Sequence, residues 1–171
     1  MPLVTVTWNK GVASPPCDHP GVVTNWGDGP TVADSVAAPA GADRVVQVAL
    51  NQVGKRYVWG AKGPNQFDCS GLVQWAYAQI GIRIPTGTAN QWPGLPVVTL
   101  AQAKPGDLVF FDTLGAGRIT HVGMLAGDLN NDGTWDMVHA ASPEYGVRID
   151  YSVFERPYYA KMFRGIRTVR R

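Results

Sequence analysis

A change in the hydrophobic repeat near residue 105 most constrains how this chain can fold. Before that point, apolar residues at 45–53 and 72–76 recur at helical spacing, and Asp43 is a plausible cap for the first of these helices. After the Pro105–Gly106 turn, short apolar runs separated by turn residues indicate strands. The predicted strands are 107–112, 119–126, 134–140, 146–149 and 158–169. Helices followed by an antiparallel sheet predict an α+β fold.

Composition sets the domain count and excludes several classes of protein. The chain has 171 residues, 45% hydrophobic and 16% charged, which is typical of one globular domain. Residues 1–41 are rich in turn residues and predict an irregular N-terminal extension with a linker, followed by a domain over 42–171. A net charge of +2 is too small to indicate a nucleic-acid partner. No apolar run approaches membrane-spanning length, and the N-terminus lacks the pattern of a secretion signal.

The stretch Phe67-Asp68-Cys69-Ser70-Gly71 reads as a loop that becomes a helix with a cysteine at the join. Asp68 or Cys69 is expected at the N-cap, where the helix dipole favours a thiolate and therefore a nucleophile. The alternative is a small buried apolar cysteine. The only other cysteine is Cys17, and because one of the two is the predicted nucleophile, we expect no disulfide framework.

Histidine usage supports the nucleophile interpretation. Of three histidines, His121 and His139 lie in consecutive predicted strands, and antiparallel neighbours bring side chains on one face within reach of each other. A thiolate nucleophile needs a base, and the base needs an orienting group. His121 and His139 can supply these two roles for Cys69. The alternative is that each is simply a half-exposed strand residue.

The connection between the two histidine strands resembles the start of a calcium-binding loop. Oxygen-bearing side chains occupy relative positions 1, 3, 5 and 9 of the segment 128–136, with a glycine at position 6. The four residues are Asp128, Asn130, Asp132 and Asp136. The acidic residue expected at position 12 is absent, because His139 stands there. The alternative is a hairpin turn rich in Asn, Asp and Gly.

Five short motifs in order resemble the NlpC family of papain-like cysteine peptidases, which cleave bacterial cell-wall peptides. They are YVWG at 57–60, FDCSGLV at 67–73, PGDLVFF at 105–111, HVGM at 121–124 and VHA at 138–140. Each motif alone is weak, but their order and spacing over residues 42–167 are specific. The resemblance implies a papain-like fold, with N-terminal helices packed on a C-terminal antiparallel sheet.

The resemblance also assigns roles to individual residues. It implies a catalytic set, with Cys69 as nucleophile, His121 as general base and His139 as the polar third member. It implies a second set beside the nucleophile: Tyr57 at the oxyanion hole, and Asp68 and Ser70 at the pocket for the acyl side of the substrate. The reaction expected is cleavage of an amide bond in the peptidoglycan stem, between D-glutamate and the diamino acid, through a thioester.

Partner and location follow as expectations. We expect a monomer that acts on bacterial peptidoglycan at the cell wall, extracellular or periplasmic, with no required cofactor and a possible structural calcium ion. Without a signal sequence, the protein would be phage-encoded or a processed or truncated secreted enzyme. The alternatives are an amidase or acyltransferase on the same fold, or a non-catalytic module for cell-wall binding or assembly.

Overall fold

The computed structural model describes residues 43–169, so the predicted N-terminal extension lies outside the described residues. The first helix, α1, spans Arg44–Leu50. The Asp43 side chain accepts a hydrogen bond from the Val45 N–H at 3.1 Å, as the predicted cap requires. Apolar residues on one side of α1 are buried and pack against helix α2, Cys69–Gln79. Both predicted helices are therefore confirmed.

Shorter elements surround this helix pair. The strands β1, Arg56–Tyr57, and β2, Gln66–Phe67, pair in parallel and lead into α2. Helix α3 covers Thr88–Gly94. The two-residue strand β3, Val97–Val98, was not predicted, because a strand of this length has no hydrophobic period.

Within residues 43–169, six strands form an antiparallel sheet in the order β3-β8-β4-β5-β6-β7. The remaining strands are β4 Leu108–Phe111, β5 His121–Gly127, β6 Asp136–Ser142, β7 Gly146–Asp150 and β8 Phe163–Arg167. Four of the five predicted strands correspond to β4–β7 with shifts of a few residues at their ends. The α+β, papain-like fold class is confirmed.

Alternate residues of the strands divide between two apolar cores. The helix-side core joins α1 and α2 to the sheet through residues such as Leu108 and Phe110. The second core contains the strand residues that alternate with those of the first, together with a tyrosine from a helix described below. Its buried members are Val109, Phe111, Leu125, Met137, Val153, Tyr159 and Ile166. The sheet is thus covered by apolar packing at both sets of alternating positions, which explains why the four residues of β4 are all buried.

The predicted strand over 158–169 is wrong in its first half. Helix α4, Pro157–Met162, precedes β8. Pro157 stands at the start of α4, where proline needs no N–H partner and its fixed φ suits a helix. Tyr159 on α4 then packs its ring 5.2 Å from that of Phe111 in the second core. In the described part of the chain, no helix is long and apolar enough to cross a membrane.

Candidate active site

The join between loop and helix at Cys69 is fixed by the neighbouring aspartate. Asp68 has extended backbone angles and is the N-cap of α2, so Cys69 is the first helical residue. Asp68 Oδ1 accepts hydrogen bonds from the Gly71 N–H at 2.6 Å and from the Ser70 hydroxyl at 3.2 Å. Its Oδ2 accepts from the Gly60 N–H at 2.9 Å. One carboxylate therefore caps the helix and ties it to the preceding loop.

Glycine at position 71 is required by the closeness of that loop. A Cβ at Gly71 would lie 2.1 Å from the carbonyl oxygen of Ala61 and 2.8 Å from Asp68 Oδ1. The same Ala61 oxygen accepts a hydrogen bond from the Asp68 N–H at 2.8 Å. The FDCSG motif is therefore a packed turn in which cap, cysteine and glycine are interdependent.

Cys69 is completely buried and its sulfur is in a disulfide bond. The expectation that the chain has no disulfide is therefore wrong for this structure. The other cysteine of the sequence, Cys17, lies outside the described residues. A disulfide sulfur is not a nucleophile, since thiol chemistry requires the thiolate. Cys69 can attack a substrate only after the disulfide has been reduced.

The two strand histidines meet in the sheet, as the strand order predicts. His121 opens β5 and His139 lies in β6, and His121 Nε2 is 2.7 Å from His139 Nδ1. Each is only 1% exposed, so neither is the half-exposed strand residue of the alternative interpretation. Helix α2, which begins at Cys69, packs against both β5 and β6. Their roles as base and orienter stay predictions.

A glycine on the neighbouring strand leaves space for Met137 and His139. A Cβ at Gly123 would lie 3.3 Å from His139 Cβ and 2.2 Å from the sulfur of Met137. Any larger residue would displace one of these side chains. The glycine of the HVGM motif thus leaves room mainly for the Met137 side chain, and His139 lies in tight contact beside it.

The histidine pair continues into a buried carboxylate that sequence reasoning missed. His139 Nε2 lies 3.0 Å from Asp150 Oδ2, and the Tyr159 hydroxyl donates to the same oxygen. Arg148 and Arg156 approach the other oxygen, Oδ1, at 2.7 Å and 3.6 Å. The hairpin register held a signal for this carboxylate. His139 pairs with Arg148, so Asp150, two residues on, is its diagonal neighbour on the same face.

Burial and charge perturb three groups in this cluster. Burial lowers the pKa of His121 well below 6.5, the electrostatic interaction with His139 lowers it further, and the Asp150 carboxylate acts in the opposite direction. Burial would raise the pKa of Asp150, but the hydrogen bond and charge of His139, the Tyr159 hydroxyl and Arg148 outweigh it, so the pKa falls well below 3.8. Burial and the charge of Asp150 raise the pKa of Tyr159 well above 10.

Of the residues predicted at the substrate site, Asp68 and Ser70 lie at the start of α2, and Tyr57 pairs in register with Phe67, two residues before Cys69. Tyr57 is buried on β1, which packs against β6 and β7. Ser70 is the second residue of α2, and its carbonyl accepts a hydrogen bond from the Gln91 side chain at 3.2 Å. Gln91, a buried residue of α3 that sequence reasoning did not select, also donates to the Pro85 carbonyl at 3.0 Å. It joins α3 to the cysteine turn.

In the predicted calcium loop, backbone N–H groups already hydrogen bond to the carboxylates. Asp128 accepts from the N–H groups of Asp132 and Gly133 at 3.0 Å and 2.8 Å. Asp136 accepts from those of Leu129 and Ser152. Over residues 43–169, no group of three or more His, Cys, Asp or Glu side chains is arranged to hold a metal. These contacts are those of a hairpin turn, and calcium binding stays a prediction.

Comparison with known proteins finds one family model and several named relatives. The model of the NlpC/P60 family matches residues 54–168. A protein of Mycobacterium tuberculosis named "Probable endopeptidase" is 40% identical over 141 residues, which cover 81% of this chain and 31% of that protein. The chain therefore spans less than a third of this relative's length.

Solved structures with the same fold carry related names. An NlpC/P60 family protein from Bacillus cereus superposes with a TM-score of 0.65 and 30% identity, over 78% of this chain and 41% of that one. The NlpC/p60 domain of the peptidoglycan hydrolase SagA gives 0.59 and 28%, over 74% and 97%. RipD from Mycobacterium tuberculosis, described as a non-catalytic NlpC/p60 domain protein, gives 0.57 at 23% identity, over 74% and 95%, and shows the fold alone.

Proposed function

The chain belongs to the NlpC/P60 family, and from this premise we propose that it is a peptidoglycan hydrolase that cleaves an amide bond in the stem peptide. The bond proposed is the one between D-glutamate and the diamino acid. The observation that carries the proposal is the buried His121–His139 pair, 2.7 Å apart, in the two strands against which the Cys69 helix packs. The proposed catalytic set is Cys69, His121 and His139.

The chemistry proposed is nucleophilic catalysis by a thiolate. The Cys69 thiol gives its proton to a ring nitrogen of His121, and the thiolate forms a bond to the carbonyl carbon of the scissile amide. When the carbon–nitrogen bond breaks, protonated His121 returns the proton to the departing amine. A water molecule then gives a proton to His121 and attacks the thioester, which releases the acid and restores the thiol.

Groups near the start of α2 are proposed to stabilise the oxyanion and hold the acyl side of the substrate. Backbone N–H groups at a helix N-terminus can donate to a developing negative charge, and the Tyr57 hydroxyl is proposed to assist them. Asp68 and Ser70 are proposed to shape the acyl pocket. Support for this arrangement comes from the hydrogen bonds of Asp68, which fix the turn at both ends.

Reduction of the Cys69 disulfide is a requirement of the proposed reaction. A dithiol can reduce the disulfide by exchange: its thiolate attacks one sulfur, the second thiol closes the ring, and two electrons pass to the protein. The chemistry then needs no metal or organic cofactor. We propose that the enzyme acts as a monomer at the cell wall.

The test uses the full chain, reduced with dithiothreitol, on peptidoglycan that contains diaminopimelate. New free amines should appear, and mass spectrometry of the released fragments should show a cut after D-glutamate. The matched control is Cys69→Ala, which should release none. Absence of release from the reduced wild type, or equal release from Cys69→Ala, would contradict the proposal.

A second candidate is a non-catalytic module that binds peptidoglycan. The disulfide at Cys69 favours it, because the bonded sulfur has no thiolate to offer. The fold alone does not secure catalysis, since RipD has the fold and is described as non-catalytic. Sedimentation with insoluble peptidoglycan, equal for wild type and Cys69→Ala and without amine release under reduction, would select this candidate.

A further inference from the structure

We propose that Asp150 is a positioning residue that fixes which ring nitrogen of His139, and through it of His121, carries a proton. The proposal rests on the proposed function of His121 as general base. It adds to the Cys69, His121 and His139 set a fourth residue that does not contact the substrate. The argument follows the hydrogen bonds outward from Asp150 to His121.

The first step assigns the proton on His139. An ionised carboxylate can only accept hydrogen bonds, so the 3.0 Å contact between Asp150 Oδ2 and His139 Nε2 needs a proton on Nε2. A neutral imidazole has one protonated nitrogen, so His139 Nδ1 is then an acceptor. Asp150 therefore selects one tautomer of neutral His139.

The second step transfers this selection to His121. His121 Nε2 lies 2.7 Å from His139 Nδ1, and two acceptors would repel each other at that distance. Because His139 Nδ1 accepts, His121 Nε2 must donate. Neutral His121 then has its lone pair on Nδ1, the ring nitrogen proposed to accept the proton of the nucleophile. The wrong tautomer would place a proton there and remove the base.

The third step is the anchoring of Asp150 itself. The titratable and charged groups that face its carboxylate are His139 on β6, Arg148 on β7, Arg156 before α4, and Tyr159 on α4. Tyr159 donates to Oδ2 and the arginines approach Oδ1. Only 2% of Asp150 is exposed, so water does not compete for these positions. The carboxylate is thus held in one orientation and kept ionised.

The anchored charge also serves the reaction. When His121 accepts the thiol proton it becomes an imidazolium whose Nε2–H donates to His139. The positive charge then lies one imidazole ring away from a buried carboxylate, which stabilises it. Asp150 therefore acts on both proton positions and charge, through His139.

The first experiment needs no substitution. Nitrogen-15 shifts of the imidazole nitrogens, recorded on the full wild-type chain at a pH where the rings are neutral, report the tautomer of each histidine. We expect a protonated Nε2 on both His121 and His139; the third histidine, His19, is assigned with His19→Gln. A proton on Nδ1 of His139 would overturn the proposal, whatever the behaviour of any variant.

The second experiment is Asp150→Asn. The two arginines at Oδ1 should attract the amide oxygen, which turns the amide NH₂ toward His139 and Tyr159. His139 Nε2 must then accept, and both rings switch to the Nδ1–H tautomer. We expect kcat to fall about 10²-fold with KM nearly unchanged. This loss is smaller than the ~10⁴-fold fall in kcat that follows an Asp→Asn change at a carboxylate bonded directly to the catalytic base, because here His139 lies between the two.

The matched control is Asp112→Asn. Asp112 is also a buried aspartate of this sheet region with an arginine, Arg164, beside it, and its hydrogen bonds go to the Ala116 and Gly117 N–H groups. It should keep wild-type kcat and tautomers. Wild-type kcat and unchanged imidazole shifts in Asp150→Asn would refute the positioning role. Failure of the proposed function would show differently, as inactivity of the reduced wild type itself.

Discussion

Removal of the Asp68 carboxylate should destabilise the whole cysteine turn. In Asp68→Ala, the Gly71 N–H, the Gly60 N–H and the Ser70 hydroxyl lose the oxygens they contact at 2.6, 2.9 and 3.2 Å. Loss of an N-cap costs about 1 kcal/mol, and each further hydrogen bond lost costs about 1 kcal/mol, more where a buried donor stays unpaired. The free energy of unfolding should therefore fall by about 2–4 kcal/mol.

Thermal and urea denaturation of the wild type and Asp68→Ala, both without reductant so that the crosslink is the same, measure this loss. At about 4 °C per kcal/mol, the melting temperature should fall by about 8–16 °C. Asp68→Asn should lose about half as much. One amide oxygen can still cap α2, since Asn is as good a cap as Asp, but the NH₂ group then faces the Gly60 N–H.

The matched control is Asp43→Ala, which removes the cap of α1. Its side chain accepts a hydrogen bond from the Val45 N–H at 3.1 Å, so the substitution measures the loss of a helix cap. It should cost about 1 kcal/mol. If Asp68→Ala destabilised the protein no more than Asp43→Ala, the carboxylate would be a simple cap, and the account of an interdependent turn would be refuted.

Four further predictions concern other parts of the domain. Gly71→Ala should lower the melting temperature, because its Cβ would lie 2.1 Å from the Ala61 carbonyl oxygen and such overpacking costs about 1–3 kcal/mol or more. An unchanged melting curve would contradict this prediction. Amine release should need a reductant, because Cys69 is disulfide-bonded; full activity of the oxidised wild type would be the contrary result. His121 in the unfolded chain binds a proton below about pH 6.5, whereas in the folded protein its pKa is lower. The free energy of unfolding should therefore fall as the pH drops below about 6.5, and urea midpoints measured against pH should fall less in His121→Gln. If the loop 128–136 binds calcium, a chelator should lower the melting temperature and added calcium should restore it, whereas an unchanged curve identifies a turn.

The features that the sequence predicted correctly depend on residues close together along the chain. The cap at Asp68 acts on a residue three positions away, and the strands β4–β7 follow from a period of two. The meeting of His121 and His139 could also be predicted, because strands consecutive in sequence are commonly neighbours in an antiparallel sheet. The domain division at residue 42 stays a prediction.

The features that were missed depend on contacts between distant segments. The sequence predicts a strand where α4 lies, because the burial of Tyr159 against Phe111 comes from a partner far away in sequence. The Gln91 link to Ser70 has the same origin. No local pattern marks such positions, since a side chain's neighbours across a core are set by how the elements pack.

The sequence by itself determined that a helix begins at Asp68 or Cys69 and which histidines share a sheet, because caps and strand alternation are local rules. The tertiary structure alone decided that Asp150 and Tyr159 complete a buried chain of hydrogen bonds from His139, and that the sulfur of Cys69 is bonded to another sulfur. Both depend on atoms brought together by folding, and their chemistry follows from distance and burial, which no sequence spacing specifies.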